Sequence, residues 1–142
     1  IGFAKIMSGK QKKIKLGNIY AKRDWGFAGD YVEAMWKMMQ NRIPKDYVIA
    51  TGQNHSVKDF INMTTKILNL KTQWVGKGLN EKLINKLNKK IIIEIDKKYF
   101  RPTEVENLKG DYLNAKKDLK WKPKTNFKDL VKMMIEADLK RN

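Results

Sequence analysis

Two arginines stand in settings that would hold their side chains in place. Arg23 lies in the run Lys22-Arg23-Asp24-Trp25-Gly26-Phe27-Ala28-Gly29-Asp30, and Arg101 lies far downstream in Tyr99-Phe100-Arg101-Pro102-Thr103-Glu104-Val105. A guanidinium meets phosphate oxygens as a two-pronged donor, and each such charge-assisted hydrogen bond is worth roughly 1.5–3 kcal/mol. Two of them, with Lys22 beside the first, could grip a diphosphate, which points to a nucleotide-linked ligand. Pro102 restrains Arg101 towards extended backbone, because its ring crowds the preceding residue. Glu104 is suited to ribose or sugar hydroxyls, since an ionised carboxylate only accepts hydrogen bonds. Plainer readings fit the same residues. Arg23 could pair with Asp24 or Glu33 at the surface, for about 0–1 kcal/mol, and Glu104 could be the first-turn charge of a helix near Val105. Residue type alone leaves both open.

The elements that would carry these residues are legible in outline. Residues 1–8 read as the end of a helix closed by Gly9. Lys13-Ile14-Lys15-Leu16 alternates like a short strand and runs into Gly17-Asn18, a signal for a turn or a close backbone approach. Asp30 is placed to cap a helix over 31–40, where Val32, Met35, Trp36 and Met39 recur at helical spacing. After Pro44, residues 47–51 (Tyr-Val-Ile-Ala-Thr) form a compact apolar run of strand length. Ser56 and Asp59 make a capping box with aspartate in the acidic position. The helix it opens should bury Val57, Phe60, Ile61, Thr64, Ile67 and Leu68 as one stripe.

Further on, residues 80–90 are lysine-rich and weakly periodic and carry no assignment. Ile91-Ile92-Ile93-Glu94-Ile95 is the best strand candidate in the chain. Residues 114–119 suit a short helix stopped by Pro123. Thr125 or Asn126 would cap a last helix that turns Phe127, Leu130, Val131, Met134 and Ile135 inward. A strand followed by a capped helix indicates the α/β class. No repeat and no long linker divides the chain.

Composition bounds the reading further. The 142 residues are 42% apolar, enough for one domain or a large piece of one. Lys+Arg 31 against Asp+Glu 15 gives a net charge of +16, which attracts polyanions without naming them. Most of the excess is lysine scattered as solvated faces. With no cysteine, disulfide frameworks and thiolate metal sites are excluded. No apolar run reaches membrane-spanning length, so a cytoplasmic protein without a membrane role is expected. The chain opens on Ile1 with apolar residues already under way and reads as a fragment.

A set of short motifs, in order, covers nearly the whole chain. They are Leu16-Gly17-Asn18; the run from Ala21 through Arg23 to Ala28; Asp30-Tyr31-Val32-Glu33-Ala34-Met35-Trp36; and Asp46-Tyr47-Val48-Ile49-Ala50-Thr51-Gly52. They continue with His55-Ser56-Val57, Trp74-Val75-Gly76-Lys77-Gly78, the Tyr99 to Val105 segment, Gly110-Asp111, Ala115-Lys116 and Leu119-Lys120-Trp121-Lys122-Pro123. Together they resemble the carboxy-terminal half of the GDP-mannose 4,6-dehydratase family of extended short-chain dehydrogenase/reductases. The resemblance implies an α/β, Rossmann-like fold, with residues 1–142 as its carboxy-terminal, GDP-sugar-binding portion and an amino-terminal NADP-binding Rossmann domain missing. It implies a homo-oligomeric parent, dimer or tetramer, that converts GDP-mannose to GDP-4-keto-6-deoxymannose by oxidation at C4 with NADP, loss of water across C5 and C6, and return of the hydride. The product serves GDP-fucose and related deoxysugar biosynthesis. By the same resemblance, Arg23 and Arg101 neutralise the diphosphate, Lys22 belongs to the same substrate-binding set, Glu104 holds ribose hydroxyls, and Leu16, Gly17 and Asn18 line the guanine.

The family's catalytic threonine, glutamate and Tyr-x-x-x-Lys would lie upstream, so no catalytic, cofactor-binding or metal residue is assigned and the fragment alone should be inactive. Tyr112 and Lys116 have the Tyr-x-x-x-Lys spacing but fall where the family has a turn and short helix. Gly76-Lys77-Gly78 lacks the third glycine and the strand-to-helix setting of a dinucleotide turn. His55 reads as a loop residue before the Ser56 cap, and Trp25, Trp36, Trp74 and Trp121 as packing residues. The rival enzyme reading is a GDP-sugar reductase or epimerase of the same superfamily. The rival from another class, a basic nucleic-acid-binding module, lacks aromatic–basic interleaving and any groove-entering motif.

Overall fold

In the computed structural model, residues 1–101 and 105–142 are described. The elements in order are α1 (Gly2–Met7), β1 (Ile14–Leu16), β2 (Lys22–Asp24), α2 (Ala28–Met39), β3 (Asn54–Ser56), α3 (Val57–Ile67), β4 (Thr72–Val75), β5 (Lys82–Asn85), β6 (Ile91–Ile95), α4 (Leu113–Leu119) and α5 (Phe127–Arg141), with 3-10 turns at Gly78–Asn80 and Lys97–Tyr99. Among the described residues no helix is long and apolar enough to cross a membrane.

A mixed four-stranded sheet runs β1-β6-β5-β4. β1 and β6 are parallel, Ile14 opposite Ile93, whereas β5 is antiparallel to both β6 and β4. Ile92 and Ile93 are both buried, which is why this stretch reads as a continuous apolar run instead of an alternating one. The core formed by Ile19, Ile61, Leu83, Ile92 and Ile93 lies between the sheet and α3, with Phe3 and Ile6 of α1 at its margin. A second cluster joins α5 to α3 through Phe127, Val131 and Ile135, with Trp25 stacked on Phe60. A third packs α2 against α4 around Trp121, which is 1% exposed.

The helix signals hold well. Gly9 closes the first helix region at φ +76°. Ser56 and Asp59 form the reciprocal capping box of α3, and Asn126 accepts from the Asp129 N–H at 2.9 Å to start α5. Met134 is an exception within α5, remaining partly exposed although it borders an apolar cavity.

Three expectations give way. Asp30 is not the cap of α2. The helix starts earlier, at Ala28, with Phe27 as an N-cap that offers no side-chain acceptor. Asp30 is instead buried in the first turn, where Oδ2 accepts from the backbone N–H groups of Lys124 at 3.0 Å and Thr125 at 2.8 Å. Residues 47–51 form no strand: none of the described strands pairs with them, and the Thr51 N–H goes to the Asp24 carboxylate instead. The stripe Val32, Met35, Trp36 and Met39 is exposed, since α2 packs through Asp30, Ala34, Tyr31 and Met38 instead. Trp36 is therefore not a packing residue here, whereas Trp25, Trp74 and Trp121 are held by ring or hydrogen-bond contacts. β2, β3, β4 and β5 went unsignalled. β2 and β3 are wholly polar three-residue strands, and β5 lies inside the lysine-rich stretch.

Candidate functional site

Two stretches of chain run side by side and collect most of the proposed ligand residues. One is 14–24, and the other comprises the described residues 93–101 and 105–108. They start together as the parallel pair β1 and β6, where the Asp96 N–H donates to the Leu16 carbonyl at 2.8 Å. They meet again downstream: Lys22 N–H donates to Glu106 O at 2.8 Å, Leu108 N–H donates to Lys22 O at 3.3 Å, and Lys22 bridges to Asn107 in parallel. Leu16, Gly17, Asn18, Lys22 and Arg23 thus line one stretch, and Arg101 lies on the other. Glu104 lies outside the described residues.

Gly17 shows why the two stretches can close up. A Cβ placed there would stand 2.0 Å from the carbonyl oxygen of Tyr99, so only glycine permits the approach. On the far side of that contact, Asp96 caps the 3-10 turn by accepting from the Lys98 N–H at 2.9 Å and pairs with Lys15 at 3.0 Å. The Lys98 backbone bond, followed by the Lys15 ammonium, holds the Asp96 carboxyl below the usual range.

Arg23 sits in the middle of β2, opposite His55 of β3. Successive strand side chains point to opposite faces, and β2 uses that alternation. Asp24 Oδ1 accepts from the Thr51 N–H at 2.8 Å and hydroxyl at 2.6 Å, and Oδ2 accepts from the Gly52 N–H at 2.9 Å. Arg23 turns the other way, its Nη1 donating to Val105 O at 2.6 Å and Lys22 O at 2.8 Å. Glu33 is engaged by Lys124 and Lys37. The Asp24 and Glu33 carboxylates thus have other partners, and Arg23, a half-buried residue, reaches the second stretch at Val105. Arg101 is exposed.

Between the stretches opens a cleft of about 290 Å³, lined by Asn18, Tyr20, Ala21, Lys22, Glu106 and Asn107. Sequence reading missed Tyr20, Glu106 and Asn107. Tyr20 had a usable signal, because it stands between Asn18 and Lys22, two residues from each. Glu106 and Asn107 had none, since their place depends on the long-range pairing with Lys22.

The remaining chemistry-bearing residues have structural roles. His55 lies in β3, not in a loop, and stacks on Phe127 at 3.8 Å between centroids. Tyr112 is the N-cap residue of α4, its ring edge-on to Trp121 at 5.9 Å, and Lys116 is one turn along with its N–H on the Tyr112 carbonyl. That is a helix turn, not an acid–base pair. Gly76 and Gly78 flank the turn from β4 into a 3-10 segment, away from any strand-to-helix crossover. Among the described residues no cluster of His, Cys, Asp or Glu could hold a metal ion.

Comparison with known proteins places this architecture. The chain is 53% identical over 135 residues to GDP-mannose 4,6 dehydratase 1 of Arabidopsis thaliana, covering 95% of this chain and 33% of that protein. It is 48% identical over 136 residues to GDP-mannose 4,6 dehydratase of Homo sapiens, covering 96% of this chain and 37% of the relative. The chain thus spans about a third of the length of these relatives. Among solved structures, RMD from Pseudomonas aeruginosa, complexed with NADPH, superposes with a TM-score of 0.75 at 17% identity, covering 98% of this chain and 40% of that one. At that identity the likeness speaks for fold alone, an α/β, Rossmann-like arrangement shared with 40% of that chain. The GDP-mannose 4,6 dehydratase family profile matches residues 2–134, and with the identities above it shows that the chain belongs to this family.

Proposed function

We propose that these 142 residues are the GDP-sugar-binding portion of an NADP-dependent GDP-mannose 4,6-dehydratase, a lyase that converts GDP-mannose to GDP-4-keto-6-deoxymannose. The observation that carries this reading is the convergence of the two parallel stretches. Leu16, Gly17, Asn18, Lys22 and Arg23 lie on one side, and the segment bearing Arg101 lies on the other. A diphosphate between them would meet cationic donors from both stretches, with the guanine along residues 16–18 and the ribose hydroxyls at Glu104. In this role the chain binds and orients its substrate; no residue present is assigned a proton or hydride step.

The residues here do not fit a dinucleotide site, for the reasons given at Gly76 and Gly78, so NADP is assigned to an amino-terminal Rossmann domain outside this chain. The uncovered apolar stripe of α2 and the apolar residues 47–51, which pair with no described strand, support that assignment. An exposed helix face of Val32, Met35, Trp36 and Met39 suits packing against a further layer of structure. The assembled enzyme is proposed to be a cytoplasmic homo-oligomer.

Calorimetric titration with GDP tests the site. Arg23→Ala and Arg101→Ala are each expected to weaken binding about tenfold or more, the equivalent of one lost charge-assisted bond. Unchanged affinity in both variants would sink the assignment. For the longer enzyme, GDP-mannose with NADP should yield a 4-keto sugar without net cofactor reduction. Net NADPH oxidation with the keto sugar as substrate would mark a reductase instead.

A further inference from the structure

Tyr20 is not explained by a grip on phosphate. Its side chain is half-exposed and lines the cleft beside Asn18, and its backbone N–H closes on Asn18 Oδ1 at 2.9 Å. Its hydroxyl is tied down from behind. Tyr20 donates to Glu81 Oε2 at 2.6 Å, while Lys58 Nζ donates to the Tyr20 oxygen at 3.1 Å and to Glu81 Oε1 at 2.6 Å. The same ammonium lies 4.9 Å from the Tyr20 ring centroid and 4.8 Å from that of Trp74.

Glu81 is only 3% exposed, and a buried carboxylate is costly unless it is paired and hydrogen-bonded. Burial opposes its ionisation, but the hydrogen bonds from Lys58 and Tyr20 outweigh that and keep its carboxyl below the usual range. The backbone is fixed as well. The Lys58 N–H donates to Ile19 O at 2.8 Å, and Ile19 is sealed in the core. Residues 18–20 are therefore held at the core, at the turn and at the phenol, leaving the cleft-facing side of the Tyr20 ring pre-positioned. A side chain already ordered before binding spares the roughly 0.5–1.5 kcal/mol that ordering it would cost.

We propose that the Tyr20 ring is a wall of the nucleoside subsite, contacting the base and ribose of a purine nucleoside diphosphate. Lys58 and Glu81 are positioning residues that set its orientation. This rests on the nucleotide reading above and adds to it a contact outside the diphosphate grip.

The test uses two probes, GDP and inorganic pyrophosphate, titrated calorimetrically into the full chain, with a thermal melt of each variant. Tyr20→Phe should weaken GDP about threefold to tenfold, Tyr20→Ala should weaken it further, and both should leave pyrophosphate binding unchanged. The double change Lys58→Met with Glu81→Gln removes both charges together, so that neither is left buried alone, and should follow Tyr20→Phe. Should that double variant fail to fold, Tyr20→Phe at its half-exposed position decides the matter. GDP binding in the Tyr20 variants equal to that of the unaltered chain overturns the inference, as does an equal loss for both probes. Arg23→Ala should weaken both probes. If only the arginine variants lose affinity, this inference alone falls. If the unaltered chain binds neither probe, the nucleotide reading falls and takes this one with it.

Discussion

Helices α2 and α3 are of similar length and both carry an apolar stripe, yet the molecule treats them differently. α3 begins with a reciprocal cap, the Asp59 N–H on Ser56 Oγ at 3.0 Å and the Ser56 N–H on Asp59 Oδ2 at 2.8 Å. It then lays Ile61 and Thr64 into the core shared with Leu83 and Ile93. α2 begins without a side-chain cap and buries Asp30 and Ala34, leaving Trp36 61% and Met39 82% exposed. Helical spacing reveals that a stripe exists; it does not reveal what covers it. A helix apolar on more than one side suits burial in more than one layer, and within this chain one layer of α2 is filled.

The largest expected difference between the two helices comes from truncating one apolar residue in each. Ile61→Ala should cost about 2–5 kcal/mol in denaturant unfolding, because it removes buried methylenes and leaves a cavity. Trp36→Ala in this chain should stay within about 0.5 kcal/mol of the unaltered protein. A comparable cost for Trp36→Ala would break the comparison. In the longer enzyme, the same substitution should become strongly destabilising if a second domain covers α2.

A smaller and opposite pair of effects is expected at the helix starts. Ser56→Ala should lower stability by about 1 kcal/mol, whereas Phe27→Ser should raise it by a few tenths to about 1 kcal/mol by supplying the acceptor that α2 lacks. Thermal melts that move in the same direction would refute this account of the caps.

The smallest effect concerns acid. Burial works against ionised Asp59, but the backbone and hydroxyl hydrogen bonds of Ser56 outweigh it and depress its carboxyl. A depressed carboxyl stabilises fully above its unfolded value, and that contribution disappears as pH falls through the folded value. Asp59→Asn should therefore flatten the loss of stability between about pH 5 and pH 2. On α2, Glu33 is depressed mainly by its hydrogen bond from Lys124 at the surface. Its share of the acid limb should vanish at about 1 M salt, where exposed charges are screened, while the share of Asp59 persists.

The parts of the fold that are legible in the sequence are those written in local chemistry. Ser56, Asp59 and Asn126 announce helix starts because their side chains reach backbone N–H groups only three residues away. Residues 91–95 announce a strand because β-branched side chains suit a pleated, buried surface. Gly17 announces a close approach, which the Tyr99 carbonyl supplies. β2 and β3 escape notice because Lys22-Arg23-Asp24 and Asn54-His55-Ser56 contain no apolar residue; each is a strand only because the other lies beside it. Residues 47–51 fail in the opposite sense, having strand composition and no described strand for a partner. Of the candidate site, Arg23, Arg101 and the 16–18 run stand out by residue type and resemblance, whereas Tyr20, Glu106 and Asn107 emerge only where the two stretches meet.

By itself, then, the sequence determined the α/β class, the caps of α3 and α5, the main core strand and membership of a family whose motifs it carries in order. The tertiary structure decided the partners of Asp24, since strand alternation turns it towards Thr51 and Gly52. It also decided that Asp30 is a buried acceptor for the 124–125 backbone instead of a cap, and that the outer face of α2 stands uncovered. Local signals act over a few residues and survive in any context. Partner choice is set by what lies opposite, and only the folded chain brings residues such as Lys22 and Asn107, or Lys58 and Glu81, within reach of one another.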